Sequence, residues 1–200
     1  MTCIRTAALA IATLLLWAPI ASADDQDSIN ATPKVLGDPN APVTIVEFAS
    51  TSCPHCASFH IERMAWLKET FIETGRAKLE FRDFPLNAPA LWGAMLPHCA
   101  GPDRYFAYLD LVFERQRNWA FADEPQAALK DLAKQAGMSS ADFDSCMANE
   151  SLQTAIIEAR KDGIDNYDIQ STPTFLIDGE YLRGVPSEEE LTKRIEAAGG

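Results

Sequence analysis

Val43-Thr44-Ile45-Val46-Glu47-Phe48-Ala49-Ser50-Thr51-Ser52-Cys53-Pro54-His55-Cys56 decides how the chain is read. Val43 to Phe48 is rich in β-branched residues, as a buried strand is. Ser50-Thr51-Ser52 reads as a turn. From Cys56 the pattern becomes helical, with His60, Met64, Leu67 and Phe71 on one face until Gly75 stops the run. A Cys-x-x-Cys pair therefore sits where a strand gives way to a helix. Its first sulfur meets the unpaired N–H groups and positive dipole end of the helix N-terminus, which favour the reactive thiolate. Pro54 suits the first helical turn, where a missing N–H costs nothing. Cys53 thus reads as the exposed nucleophile and Cys56, one turn inside, as the buried resolving thiol. A helix terminus contributes about 0.3–1 kcal/mol, up to ~2, against about 1.4 kcal/mol per pKa unit. The dipole alone shifts the thiol by about one unit, and a larger shift calls on His55 and on direct N–H contacts. Stabilising the reduced thiolate makes the disulfide easier to reduce, so the pair becomes a stronger oxidant.

Working outward, Ala77 to Phe84 alternates and reads as a second strand. The helix before it supplies the right-handed crossover that a parallel pair needs. Pro85 to Ser171 is helical in texture. Tyr105, Leu109 and Val112 share a face, with Phe106 and Phe113 beside it. Further helices are expected over Pro125–Ala136, from Ser139, and over Glu150–Lys161 ending near Gly163. Thr174–Ile177 and Glu180–Leu182 flank Asp178-Gly179, a tight hairpin turn. Ser187 and Glu190 form a capping box opening a last helix to Ala198. One crossover helix does not fill 85–171. The expected class is α/β, with residues 43–84 and 172–200 as a strand–helix–strand, hairpin–helix frame and 85–171 as an inserted helical subdomain.

The N-terminus has the layout of a secretory signal peptide: a weakly basic start, an apolar run from Ala7 to Ile20, and Ala21-Ser22-Ala23 before Asp24-Asp25. The apolar run is short of the roughly 20 residues a spanning helix needs, and Pro19 interrupts it. Residues 1–23 are therefore expected to be cleaved, with 24–42 a polar leader into the domain. The formal net charge of −12 offers no basic stripe for phosphates, which argues against a nucleic-acid partner. Beyond the signal the chain keeps Cys53, Cys56, Cys99 and Cys146. An even number in an exported protein suggests disulfides. The local pair leaves Cys99 and Cys146 as the remainder. Three readings rival the redox motif: a zinc site on Cys53, Cys56, His55 and His60, though these crowd one short stretch and an oxidising compartment favours the disulfide; haem attachment, which would need a histidine where Ala57 stands; and a purely structural disulfide, whose short loop gains little entropy on closure. No cofactor and no metal are expected.

The segment from Val46 to Cys56 resembles the active-site region of the DsbA family of bacterial periplasmic disulfide oxidases. Ser171-Thr172-Pro173-Thr174-Phe175 resembles that family's cis-proline loop. The resemblance implies a thioredoxin fold with an inserted helical subdomain, and a cis Thr172-Pro173 bond against the Cys53–Cys56 pair. It also implies an extended substrate segment held along that loop. Glu47 matches a partly buried acidic residue that could relay the proton of Cys56, although strand alternation leaves a solvent-facing position open. Lys78 is a candidate partner for Glu47, and His60 is read as facing solvent. Alphaproteobacterial members carry a second, non-catalytic disulfide in the helical region, which implies a structural Cys99–Cys146 bond. Closing that loop contributes about 4 kcal/mol on the chain-entropy model. Expected partners are reduced or unfolded exported proteins and, by resemblance alone, a quinone-linked membrane reoxidase. The leader is too short for a dimerisation domain, so a monomer is expected. Thr172 keeps an isomerase or reductase role open, since it also precedes the cis-proline in such relatives. A chaperone-like peptide-binding module is the reading from another class.

Overall fold

A computed structural model describes residues 31–200. The expected signal peptide, Cys3 and the leader's first residues lie outside the described residues. Three strands come first: β1 (Lys34–Leu36), β2 (Val43–Ala49) and β3 (Ala77–Asp83). Between β2 and β3 run α1 (Pro54–Glu62) and α2 (Met64–Leu67), the latter continued by a π-helical turn over Lys68–Ile72. The late hairpin is β4 (Thr174–Ile177) and β5 (Glu180–Arg183). The sheet order is β1-β3-β2-β4-β5. β2 is parallel to β3 and antiparallel to β4.

This is the expected frame, with one strand more. β1 pairs antiparallel with β3 from inside the leader. Three residues between Pro33 and Gly37 are too few to show a period of two; pairing with β3 makes them a strand. The expected single helix up to Thr74 is broken at Arg63, which leaves helical angles (φ −121°, ψ −26°). The stripe survives the break: His60, Met64, Leu67 and Phe71 are all buried.

Between β3 and β4 lie α3 (Ala88–Cys99), α4 (Tyr105–Glu114), α5 (Gln116–Trp119), α6 (Pro125–Gln135), α7 (Ser140–Met147) and α8 (Glu150–Tyr167). They enclose a core of their own around Leu96, Val112, Trp119, Leu129 and Ile156. The sheet, α1 and α9 (Glu188–Ala197) enclose another around Ile45, Phe59, Leu79, Phe175 and Leu191. Ser187 and Glu190 form the expected capping box on α9. α8 runs past the expected stop at Gly163 to Tyr167, where Asp168 takes the left-handed conformation (φ 49°). Gly163 serves packing instead. A Cβ there would stand 3.2 Å from the rings of Phe48 and Phe84, which would have to give by a few tenths of an ångström, so glycine suits the close approach of α8 to these rings. Among the described residues no helix is long and apolar enough to cross a membrane.

Candidate functional site

Cys53 stands as the N-cap of α1, with Pro54 in the first turn. Cys56 is fully buried, one turn inside. The two sulfurs are free thiols. Opposite them the Thr172-Pro173 bond is cis, and the Cys53 thiol donates to the Thr172 carbonyl at 3.3 Å. Cys53 and the residue before the cis-proline, 119 positions apart, are thus in contact.

The two thiols differ sharply. Cys53 is lowered to about 5, first by the hydrogen bond from the Cys56 thiol, against a burial penalty. The Thr172 hydroxyl and the backbone N–H groups of Cys56 and His55 lower it further. That hydroxyl is buried without a hydrogen-bond partner among the described residues, and the contact Cys53 itself makes is to the Thr172 carbonyl. The Cys56 thiol is pushed far up, chiefly by burial and then by the Cys53 sulfur, with a smaller push from the Glu47 charge. The expected nucleophile and resolving thiol are therefore distinguishable by environment, although Cys53, expected to be exposed, is itself buried, with 7% of its surface accessible beneath the Thr172-Pro173 loop. His55 contributes through its backbone N–H, while the residue itself is exposed.

Glu47 is completely buried, which excludes the solvent-facing alternative. In the sheet it lies between Phe81 on β3 and Phe175 on β4. Its partner is not Lys78, whose ammonium donates to the Pro39 carbonyl at 2.6 Å. Register explains this: Lys78 pairs with Thr44, three residues along β2 from Glu47. The partner is His60, whose Nε2 donates to Glu47 Oε1 at 3.1 Å. His60 does not face solvent. It is buried, stacked on Phe113 with ring centroids 4.0 Å apart. Burial by itself pushes the imidazole down, but the carboxylates of Glu47 and Asp110 outweigh this and raise it. The apolar stripe containing His60 carried the signal for this burial.

Three anchors were not anticipated from sequence. The Gln116 amide on α5 donates to the carbonyls of Thr51 and Cys53 at 2.8 and 2.9 Å. Asn87 caps α3 and accepts from the Ser52 hydroxyl at 3.1 Å. The Thr51 hydroxyl donates to the Ala90 carbonyl at 2.8 Å. The inserted helices therefore hold the loop that presents Cys53. Gly93 permits this approach, since a Cβ there would collide with Trp119 and Thr51. Cys99 at the end of α3 and Cys146 on α7 are joined by a disulfide. No group of His, Cys, Asp and Glu suited to a metal ion occurs among the described residues.

A Cys-x-x-Cys opening the helix after a central strand, faced by a cis-proline at the start of an antiparallel strand, defines a thioredoxin-fold dithiol protein. A family model described as thioredoxin matches residues 22–197; the chain belongs to that family, as a DsbA-like member. It superposes on α-DsbA1 of Wolbachia pipientis with a TM-score of 0.77 and 28% identity, over 83% of this chain and 90% of the other. A protein-disulfide isomerase of Novosphingobium aromaticivorans gives a TM-score of 0.74 and 27% identity, over 86% and 100% of the two chains. Among sequences, disulfide bond formation protein D of Bacillus subtilis is 27% identical over 86% of this chain and 78% of its own length. A Rickettsia conorii protein named for protein-disulfide oxidoreductase activity is 29% identical over 72% of this chain. The chain spans 53% of that protein's length and 64% of its Rickettsia bellii counterpart's.

Proposed function

We propose that the chain is a protein thiol–disulfide oxidoreductase that donates its Cys53–Cys56 disulfide to exported proteins as they fold. The asymmetry of the two thiols carries the reading: Cys53 is lowered to about 5 and Cys56 is pushed far up. A pair whose reduced form contains so stabilised a thiolate gives its disulfide away readily. A substrate thiolate attacks Cys53 Sγ, the Cys53–Cys56 bond breaks, and Cys56 takes the electron pair and a proton. A second substrate thiolate attacks the mixed disulfide, and Cys53 departs as the thiolate. The substrate leaves oxidised by two electrons and the pair is left reduced. Pro54 and His55 shape the first turn that stabilises Cys53. Thr172 and Pro173 form the opposite wall, where an extended substrate backbone would lie. Glu47 is the group that exchanges the Cys56 proton.

In this reading residues 1–23 are a cleaved signal peptide, 24–42 a leader, 43–84 with 172–200 the redox frame, and 85–171 the insertion that fixes the active-site loop. The protein works as a periplasmic monomer, and a quinone-linked membrane partner reoxidises it. The test is the oxidative refolding of reduced ribonuclease. Stoichiometric gain of ribonuclease activity from the oxidised protein, lost in Cys53→Ser, supports the oxidase. Activity gained only from scrambled ribonuclease would favour the isomerase reading, and activity surviving Cys53→Ser the chaperone.

A further inference from the structure

Cys56 and Glu47 are both sealed from solvent, yet every turnover must move a proton on or off Cys56. From Glu47 the polar contacts lead in one direction. Its Oε1 accepts from His60 Nε2 at 3.1 Å. On the other side of the ring, His60 Nδ1 faces Asp110 Oδ1 at 3.9 Å. Asp110, on α4, is about one-third exposed, and its Oδ2 accepts from the Lys68 ammonium at 2.7 Å. His60 Nδ1 is buried without a hydrogen-bond partner among the described residues. A separation of 3.9 Å is too long for a hydrogen bond, and a shift of about 1 Å by the Asp110 carboxylate would close it. The ring is held for this task between Phe113 at 4.0 Å and Phe81 at 6.0 Å.

We infer that His60 and Asp110 form a relay that carries the Cys56 proton between buried Glu47 and solvent. This rests on the oxidoreductase reading above and deepens it. When the Cys53–Cys56 bond is reduced, Cys56 leaves with the electron pair. Glu47 takes a proton from His60 Nε2 and hands it to Cys56, and Nδ1 recovers a proton from the solvent side through Asp110. Reoxidation runs the same path outward. The relay matters because a thiol with a raised pKa is a poor leaving group unless it is protonated as the bond breaks. The groups facing His60 are Glu47 from β2, Asp110 with its Lys68 partner, and the apolar rings of Phe59, Phe81 and Phe113. The Tyr105 phenol on α4 feels the charges of Glu47 and Asp83 and is pushed up, first by its own burial, so it stays neutral beside the path. His60 and Asp110 act through Glu47 rather than on the sulfurs.

The test is single-turnover reduction of the oxidised full chain by dithiothreitol, followed by intrinsic fluorescence across pH 5–9 in H2O and in D2O. Asp110→Asn and His60→Gln are expected to slow the step by about tenfold, below the ~10²–10⁴ of a direct general acid because the relay is indirect. Both should change the solvent isotope effect and flatten the pH profile, and Asp110→Glu should restore both. Rates, isotope effects and profiles equal to wild type in folded variants would overturn the relay. In the unmutated protein, the His60 imidazole followed by NMR must titrate at a different pH in the oxidised and reduced forms; identical titrations would also overturn it, whether or not the variants fold. Failure of the relay leaves dithiothreitol reduction intact with a wild-type profile. Failure of the oxidoreductase reading instead appears as a Cys53–Cys56 pair that does not react at all, and this removes both.

Discussion

The side-chain amide of Gln116 donates to the backbone carbonyl of Cys53 at 2.9 Å, and the same nitrogen donates to the Thr51 carbonyl at 2.8 Å. One buried residue of the inserted helices thus fixes both ends of the turn that delivers the nucleophile to the first turn of α1. Gln116→Ala would leave two buried carbonyls without this donor. An unsatisfied buried group costs about 1–3 kcal/mol. A loss of that size, or about 2–12 °C in Tm, is expected in thermal unfolding. An unchanged Tm would show that the turn holds without the clamp.

The Cys53 thiol should titrate near pH 5, followed as thiolate absorbance near 240 nm in the reduced protein. Thr172→Val keeps the shape of the side chain and removes its hydroxyl. Hydrogen bonds to charged groups contribute about 1.5–3 kcal/mol, so the midpoint should rise by about one to two units. A midpoint that does not move would assign the whole shift to the Cys56 thiol and the α1 backbone.

The frame of the fold was legible because its signals are local. The β-branched run at Val43–Phe48, the alternation at Ala77–Phe84 and the Asp178-Gly179 turn each lie within a few residues, and the sheet contains all of them. Cys53 and Cys56 were legible because the helix N-terminus sets their chemistry. What escaped depends on contacts distant in sequence. β1 is a strand only because β3 offers its edge. His60 was misread as exposed because its imidazole is polar, yet Glu47, 13 residues earlier, makes burial tolerable. Gln116 lies on a four-residue helix, 63 positions from Cys53, with no pattern to mark it.

Reduced and oxidised protein should differ in stability in a way that depends on pH. A thiol lowered from 9 to about 5 stabilises the reduced fold. That contribution is complete only above pH 9, shrinks as the pH falls, and is gone below about pH 5. At pH 7 it amounts to at most about 3 kcal/mol, less whatever solvent screening removes. His60, being raised, contributes stability below about pH 6.5 that is lost as the pH climbs through its folded value. It is present in both forms and cancels in the difference except to the extent that its titration changes with the redox state of the pair. The Tm of the reduced form relative to the oxidised should therefore rise between pH 5 and 8. A gap independent of pH would contradict the lowered Cys53 thiol.

Replacing both Cys99 and Cys146 by Ala removes the bond between α3 and α7. The chain-entropy model gives about 4 kcal/mol as the upper end of the loss. Denaturant unfolding should show most of it, while the Cys53 titration stays where it is. A displaced Cys53 midpoint would show that the second disulfide reaches the redox centre through α3.

The central claim is that the thiolate-stabilising environment of Cys53 makes its disulfide a donor. Equilibrating Cys53–Cys56 with defined ratios of reduced and oxidised glutathione tests this most directly. The account predicts a potential well above the roughly −270 mV of thioredoxin, at about −180 mV or higher. A value at or below about −250 mV would make the pair a reductant and contradict the account.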